Sequence, residues 1–322
     1  MPRRVIPVAL AAIAVTSLTP NPAFASCGSA FCFVNTNWAV QGMWNQPGPA
    51  FDLHWEYIDQ DQPMAGSRKV AVGEIPAHHD EVRTLNKNWF ATADYGFSAE
   101  WGATLVVPIV NREHEHIHNH RGEQIVERWS FTDLGDMRLT GRWQRANTPD
   151  ADHASTFGAT FGLKLPTGKF DVTNAEGEPA ERSLQPGTGT TDLILTGYFR
   201  EALPNLDSSW FAQVGAQLPL NSRDQYKPGN QFGVDAGWRY DATDKLGLML
   251  QANFRWKGRD SGAEAEPEDS GGRSVTLAPG LSYSFTPNVQ LYGYVQLPIY
   301  QYVNGVQLTA DWSAIVGVSA QF

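Results

Sequence analysis

Histidines alternate along one short segment of the sequence, and this spacing is the clearest candidate for chemistry. Residues 113–120 read Glu-His-Glu-His-Ile-His-Asn-His and contain half of the eight histidines of the chain. Alternate side chains of an extended segment face the same side, so these imidazoles would lie together. Neutral imidazole binds Zn²⁺, Cu²⁺ and Ni²⁺ well. With a second histidine pair from the preceding polar segment, the predicted metal site comprises His114, His116, His118, His120, His78 and His79.

The same residues also fit a solvated polar loop that binds metal only adventitiously. Residues 114–118 match the His-Glu-x-x-His motif of zinc hydrolases, which needs a helix to place both histidines on one face. Here the motif lies between two strand candidates, inside a histidine repeat that makes a chance match expected. The sequence has no Gly-x-Ser-x-Gly nucleophile elbow, so we expect a non-enzymatic protein without catalytic residues.

The first 25 residues have the organisation of a secretory signal peptide. Two arginines precede an apolar stretch at residues 5–18, and residues 23–25 (Ala-Phe-Ala) form a small-x-small cleavage pattern. We therefore expect the mature chain to begin at Ser26. A lipoprotein acylated on Cys27 is the alternative, although Phe24 stands where a lipobox usually has leucine.

Cys27 and Cys32 are the only cysteines of the chain. Export to an oxidising compartment predicts a small disulfide loop between them. They belong to residues 26–49, for which we expect a periplasmic or plug-like segment ahead of the main domain.

Period-two alternation of apolar and polar residues dominates residues 50–322. It predicts strands with one face toward lipid and the other toward water. In the last strand candidate, the even positions from Leu308 to Phe322 form the apolar face and most odd positions are polar. Twelve strand candidates follow from this reading: 50–60, 84–98, 101–112, 134–146, 155–166, 190–200, 208–220, 230–241, 245–258, 273–286, 288–301 and 305–322.

Short connections alternate with long polar ones along these candidates, and the connection at 302–304 is the exception. The long connections are expected at 61–83, 113–133, 167–189, 221–229 and 259–272. Short periplasmic turns and long external loops are typical of outer-membrane barrels. A soluble β-sandwich alternates as well, but strand length and loop asymmetry favour the barrel. We predict an all-β, transmembrane, antiparallel up-and-down barrel of about twelve strands.

Alternation also predicts a charged lumen inside this barrel. Such a lumen could tune permeation, or its charges could pair across the interior and leave little open channel. The formal net charge of −10 argues against a nucleic-acid partner. The predicted lumen-lining residues are Asp52, Glu56, Asp94, Asp136, Arg138, Arg142, Lys164, Asp192, Asp235, Arg239, Arg255, Lys257 and Asp311.

Three glycine-containing stretches resemble a known family. They are Gly135-Asp136-Met137-Arg138-Leu139, Leu163-Lys164-Leu165-Pro166-Thr167-Gly168, and residues 186–192 (Pro-Gly-Thr-Gly-Thr-Thr-Asp). Together they resemble the outer-membrane family named for the MetA-pathway of phenol degradation. The resemblance implies an outer-membrane barrel that passes small, often hydrophobic molecules, and it implies no catalytic residues.

Three functional hypotheses follow. The first is an outer-membrane channel or transporter for small solutes, including hydrophobic ones. The second is a surface metal-binding barrel that uses the histidine-rich loops with Zn²⁺, Cu²⁺ or Ni²⁺, and the third is a structural or adhesive barrel. In each case the expected partners are the lipid bilayer of the bacterial outer membrane and the barrel-assembly machinery, which would recognise the terminal Phe322.

Overall fold

A computed structural model describes residues 34–76, 80–120, 123–147 and 154–322. The predicted signal peptide, both cysteines, His78 and His79 lie outside these ranges, as does the side chain of His120. Among the described residues, no helix is long and apolar enough to cross a membrane.

The described part of the chain is almost entirely β-structure. It contains a short helix α1 (Trp38–Gln41) and one 3-10 helix (Pro204–Leu206). The strands are β1 (Gly48–Gln60), β2 (Gln62–Gly66), β3 (Arg68–Lys69), β4 (Asp80–Gly96), β5 (Trp101–His120), β6 (Glu123–Leu134), β7 (Arg138–Asn147), β8 (Ala154–Lys164), β9 (Asp192–Leu203), β10 (Ser208–Pro219), β11 (Gln231–Asp241), β12 (Leu246–Lys257), β13 (Gly272–Thr286), β14 (Val289–Thr309) and β15 (Ser313–Gln321).

Twelve antiparallel strands close into a barrel, which confirms the predicted fold class. The ring closes where β1 pairs with β15, with Ala50 opposite Gln321 and Ile58 opposite Ser313. Strands β2, β3 and β6 extend the wall beyond the ring on the side of the long loops. Both ends of the described barrel, Gly48 and Phe322, lie at the opposite end, together with the short turns.

Two parts of the sequence differ from the prediction. Residues 113–120 and 123–133, which were predicted to lie in a loop, are in strands, because β5 continues to His120 and pairs with β6. The last turn lies at residues 310–312 instead of 302–304, because β14 runs on to Thr309 and pairs there with β2. Leu308 is therefore buried against this extension and does not face lipid.

The outer surface of the barrel is apolar, as the alternation predicts. On β1, Phe51 and Leu53 are about half exposed, while the neighbouring Asp52 and His54 face inward and are buried. Large hydrophobic side chains are likewise exposed on the other wall strands. A continuous apolar belt of this kind around a closed barrel is covered by lipid in an outer membrane, with the short turns on the periplasmic side. These features describe a transmembrane β-barrel.

Candidate functional site

The three family-like motifs meet at one buried cluster inside the barrel. Lys164, at the end of β8, donates from Nζ to Asp136 Oδ2 at 2.7 Å and to the carbonyl oxygen of Thr190 at 2.9 Å. Asp192 Oδ1 lies 3.4 Å from the same nitrogen. Thr188 donates to Asp136 Oδ2 from its backbone nitrogen and from its hydroxyl, at 2.9 and 2.8 Å. The motif residues therefore clamp both ends of the loop at residues 165–191 to the barrel wall.

The glycines of these motifs permit the close approach of two backbone segments. A Cβ atom on Gly168 would lie 2.8 Å from the backbone of Gly187, and a Cβ atom on Gly187 would lie 2.6 Å from the backbone of Gly168. Neither contact can be relieved by moving a side chain. The Gly168 backbone nitrogen also donates to Asp136 Oδ1 at 3.1 Å, so the glycines and the charged cluster act together.

The loop at residues 165–191, called here the inward loop, folds over the lumen instead of projecting into solvent. Leu184 is completely buried, and its carbonyl oxygen accepts a hydrogen bond from Arg112 of β5. Trp129 of β6 donates from Nε1 to the carbonyl oxygen of Glu178 at 3.1 Å. These contacts hold the inward loop against the β5–β6 hairpin at the external mouth of the barrel.

Most of the predicted lumen charges are paired inside the barrel. Asp94 forms an ion pair with Arg142 at 2.7 Å, and Asp235 forms one with Arg255 at 2.5 Å. Asp52 and Glu56 are buried on the inner face of β1. Arg138 lies close to Glu56, Asp136 and Asp192. These charges largely satisfy one another across neighbouring strands.

Three other predicted lumen residues lie near the ends of the barrel. Arg239 binds Asp241 at 2.6 Å close to a periplasmic turn, and Lys257 binds Asp260 at 2.9 Å at the base of the external loop 258–271. Asp311 does not line the lumen: it lies in the exposed external turn 310–312 and binds Lys69 at 2.6 Å. The prediction for Asp311 is wrong because the last turn comes later in the chain than the alternation suggested.

Residues 34–44, called here the lumenal segment, lie inside the periplasmic half of the barrel. Asn37 caps α1 by accepting a hydrogen bond from the Val40 backbone nitrogen, and Gly42 ends the helix at a φ of 88°. Trp38 is completely buried and donates from Nε1 to Asp52 Oδ2 at 2.9 Å. Its ring packs edge-to-face on Tyr292, with ring centroids 4.6 Å apart.

Wall residues hold the lumenal segment through polar contacts as well as through apolar packing. The Asn35 backbone nitrogen donates to Gln251 Oε1 at 2.9 Å, and Gln251 Nε2 donates back to the Asn35 carbonyl oxygen at 3.0 Å. Arg200 donates to the carbonyl oxygen of Ala39. Trp44 Nε1 donates to Ser319 Oγ at 2.9 Å. A four-residue helix is unstable in water by itself, so these contacts determine its conformation.

Three histidines of β5 face the inside of the external mouth, and they are His114, His116 and His118. His114 and His116 are buried, and His114 Nε2 lies 3.3 Å from His116 Nδ1. His118 lies on the same face but farther out, with Nδ1 4.0 Å from Glu127 Oε2. The structure thus brings together two of the histidines predicted as metal ligands.

The sequence analysis missed the carboxylates that face these histidines. Glu81 of β4 is buried, with Oε2 3.5 Å from His114 Nε2. Glu181 of the inward loop reaches within 3.9 Å of His116 Nδ1. Glu81 could have been noticed, because it directly follows the His-His-Asp string in the sequence. Glu181 could not, because only the fold of the inward loop brings it here.

Two of the carboxyl groups at the mouth are held in an unusual protonation state. Burial raises the pKa of Glu181 to about 8, against the opposing influence of the nearby His116. Burial, together with the charges of Glu181 and Glu81, raises the pKa of Glu266 in the loop 258–271 to about 12. These raised pKa values favour the protonated form of both carboxyl groups near neutral pH.

The closed barrel, its apolar belt and its charged lumen define a bacterial outer-membrane β-barrel protein. The chain belongs to the family named for the MetA-pathway of phenol degradation, whose sequence profile matches residues 80–305. This confirms the resemblance that the three glycine-containing motifs indicated. A search of functionally curated proteins gives no significant match.

Among solved structures, an outer membrane channel from Pseudomonas putida F1 shows the same fold at low sequence identity. It is 13% identical, with a TM-score of 0.66 over 86% of this chain and 96% of that chain. Two other barrels are less similar. The NanC porin is 10% identical, with a TM-score of 0.44 over 84% of this chain and 100% of that chain. The translocator domain of the autotransporter NalP from Neisseria meningitidis is 10% identical, with a TM-score of 0.43 over 88% and 92% of the two chains.

Proposed function

We propose that the protein is a non-enzymatic outer-membrane channel for small solutes, with a preference for flat molecules of aromatic or amphipathic character. The observation that carries this proposal is the site of the Trp38 side chain inside the lumen. The indole ring packs on Tyr292 while its N–H is bound by Asp52. The lumen therefore contains a position that accepts one aromatic ring bearing one hydrogen-bond donor.

Other aromatic side chains of the barrel wall surround the lumenal segment. Val40 packs on Tyr198 and Phe211, and the cluster around Trp38 includes Tyr294. If the lumenal segment leaves, these wall side chains face an open passage. Aromatic side chains favour stacked or edge-to-face contact with aromatic solutes, and their hydroxyl groups supply hydrogen bonds.

The lumenal segment also closes the passage. It lies in the lumen at the level of Asp52 and Ser319 and is held by hydrogen bonds that can be exchanged for water. Displacement exposes the buried side chains of Trp38 and Trp44, whereas each hydrogen bond that is exchanged for one to water costs a net of only about 0.5–1.5 kcal/mol. The proposed channel therefore opens by displacement of the lumenal segment, and the barrel wall stays fixed.

The test compares the full-length wild type with Trp38→Ala in planar bilayers and in liposomes. We expect Trp38→Ala to raise the open probability several-fold, and indole to enter liposomes faster than a sugar of similar mass. Trp101→Ala is the matched control, since Trp101 is about half exposed on the outer surface at the same end of the barrel. We expect this control to conduct as the wild type does.

A folded barrel that shows neither conductance nor solute flux in wild type and Trp38→Ala would contradict the channel proposal and favour a structural barrel. Faster entry of the sugar than of indole would contradict the proposed solute class alone. The heat-dependent electrophoretic shift of a folded barrel reports folding of each variant, independently of transport.

A further inference from the structure

Two imidazoles and one carboxylate converge inside the external mouth, away from the lumenal segment. His114 Nε2 lies 3.3 Å from His116 Nδ1 and 3.5 Å from Glu81 Oε2. All three ligand atoms lie within 4.8 Å of one another, and the three side chains are no more than 3% exposed. The two histidines come from β5 and the glutamate from its neighbour β4, whose pairing places Glu81 opposite His116 next to a register shift between Glu81 and Arg83.

The outer nitrogen of each imidazole is held by a second residue. His114 Nδ1 lies 2.8 Å from Thr84 Oγ1, and His116 Nε2 lies 2.8 Å from Glu127 Oε2. A hydrogen-bonded carboxylate or hydroxyl on the far nitrogen is the usual support of a metal-binding histidine, because it fixes both the ring orientation and the tautomer. With a proton on His116 Nε2, the lone pair of Nδ1 points toward His114 and Glu81.

The separations match those between ligands of one metal ion. A tetrahedral zinc ion with bonds of about 2.0–2.1 Å has ligand atoms about 3.3–3.4 Å apart. The His114–His116 and His114–Glu81 separations, 3.3 and 3.5 Å, are close to this edge length. A set of two histidines and one glutamate is also a known zinc-binding set with one position left open.

The inward loop supplies a group near this open position. Glu181 Oε1 lies 3.9 Å from His116 Nδ1, on a side chain that is itself largely buried. The other carboxylate close to the histidines, Glu127, already binds the far side of the His116 ring. Glu181 is therefore placed to complete a four-ligand site from a different part of the chain.

We propose that Glu81, His114 and His116 bind one divalent transition-metal ion, with Glu181 of the inward loop as the fourth ligand. Zn²⁺ is the ion that this ligand set and these separations fit best. Such an ion ties the inward loop to the barrel wall at β4 and β5. The site differs from the one that the sequence indicated, because Glu81 and Glu181 are ligands and His118 is not.

The test is metal binding by the purified, folded, full-length barrel after treatment with a chelator. Zn²⁺ is titrated in competition with a chromophoric chelator, and Co²⁺ is titrated in parallel because its visible spectrum reports coordination geometry. We expect one ion per barrel and a tetrahedral Co²⁺ spectrum. The double variant His114→Ala/His116→Ala should weaken Zn²⁺ binding by at least about 100-fold, and Glu127→Gln, which changes the support of His116, by about 10- to 100-fold.

His118→Ala is the matched control, since it removes a histidine from the same face of the same strand without touching the proposed ligands. It should bind Zn²⁺ as the wild type does. If the double variant fails to fold, Glu81→Gln, which preserves side-chain shape, tests the same ligand set and should lose Zn²⁺ affinity and the tetrahedral Co²⁺ spectrum.

Several outcomes would overturn the proposal. One is a wild-type barrel that binds no Zn²⁺ at one equivalent, which would leave an ordinary hydrogen-bonded histidine pair. Another is equal binding by wild type and the double variant, or by wild type and Glu81→Gln, which would indicate adventitious binding elsewhere. Loss of binding in His118→Ala alone would place the ion farther out on the hairpin. Because the readout is metal binding, the result is independent of whether the barrel conducts solutes.

Discussion

Lys164 and Asp136 form a buried ion pair, 2.7 Å from Nζ to Oδ2, that joins the motifs by which the family is recognised. Asp136 lies between β6 and β7, and Lys164 ends β8, so the pair links two neighbouring parts of the wall. Through Thr188 and Thr190 it also holds the end of the inward loop. The residues of these motifs therefore attach the inward loop, which covers the external mouth, to the barrel wall.

Replacing Lys164 by Met should destabilise the barrel strongly. The substitution preserves most of the volume but leaves the buried carboxylates of Asp136 and Asp192 without their cation, a loss of about 3–5 kcal/mol. Lys169→Met is the control, since Lys169 binds Asp133 at the solvent-exposed surface, where an ion pair contributes little to stability. Urea unfolding of the folded barrel in detergent measures both. Equal urea midpoints for Lys164→Met and Lys169→Met would contradict the stabilising role of the Lys164 ion pairs.

Gly168→Ala should displace the inward loop. The added methyl group would meet the backbone of Gly135 and Gly187 at 2.8 Å, and overpacking of this kind costs about 1–3 kcal/mol. Gly197→Ala is the matched control on β9, where nothing lies within 4 Å of the added atom. We expect faster proteolysis of the inward loop in Gly168→Ala only. An unchanged proteolysis rate in that variant would show that the backbone around Gly168 can move away from Gly135 and Gly187 without displacing the inward loop.

The stability of the folded barrel should fall as the pH rises, because of Glu181 at the external mouth. Because the folded-state pKa of Glu181 is raised to about 8, the folded protein binds more protons than the unfolded chain between about pH 4.5 and 8. The stabilisation is complete below the unfolded pKa and is lost as the pH rises through about 8. Its upper limit is about 1.4 kcal/mol per pH unit for one group.

The measurement for this pH effect is the urea midpoint of the metal-free barrel from pH 5 to 9. Glu181→Gln should reduce the decline with pH, because its side chain carries no ionisable group. Glu178→Gln alters an exposed glutamate of the same loop and should leave the decline unchanged. A wild-type midpoint that rises over this range would contradict the predicted direction.

Phe322 should promote assembly of the barrel in cells. Its backbone nitrogen donates to the Pro49 carbonyl oxygen at 2.9 Å, and its ring lies 6.5 Å from that of Phe51 on the outer surface. Phe322→Ala should lower the amount of folded protein in the outer membrane several-fold. The control is Phe285→Ala, which alters an exposed phenylalanine at the same end. Equal amounts of both variants would remove any special role for Phe322 in assembly.

The sequence by itself determined the class of fold. Period-two alternation arises wherever a strand separates an apolar environment from a polar one, so the positions of Phe51 and Asp52 in the sequence suffice to assign them to opposite faces. Strand length and loop asymmetry then indicated a wall between lipid and a polar interior. The same alternation correctly placed Asp94, Arg142 and Lys164 inside the barrel. It failed near Leu308 and Asp311, because alternation does not mark where a strand turns once it has left the membrane.

Only the tertiary structure decided which polar groups meet. Lys164 and Asp192 belong to two separate motifs, and the register of β8 with β9 places them opposite each other. Glu81, His116 and Glu181 come from two strands and one loop, and their separation is fixed by strand register and by the folding of that loop over the lumen. A histidine repeat indicates an affinity for metal. The position of a metal site requires the carboxylates that the fold brings beside it.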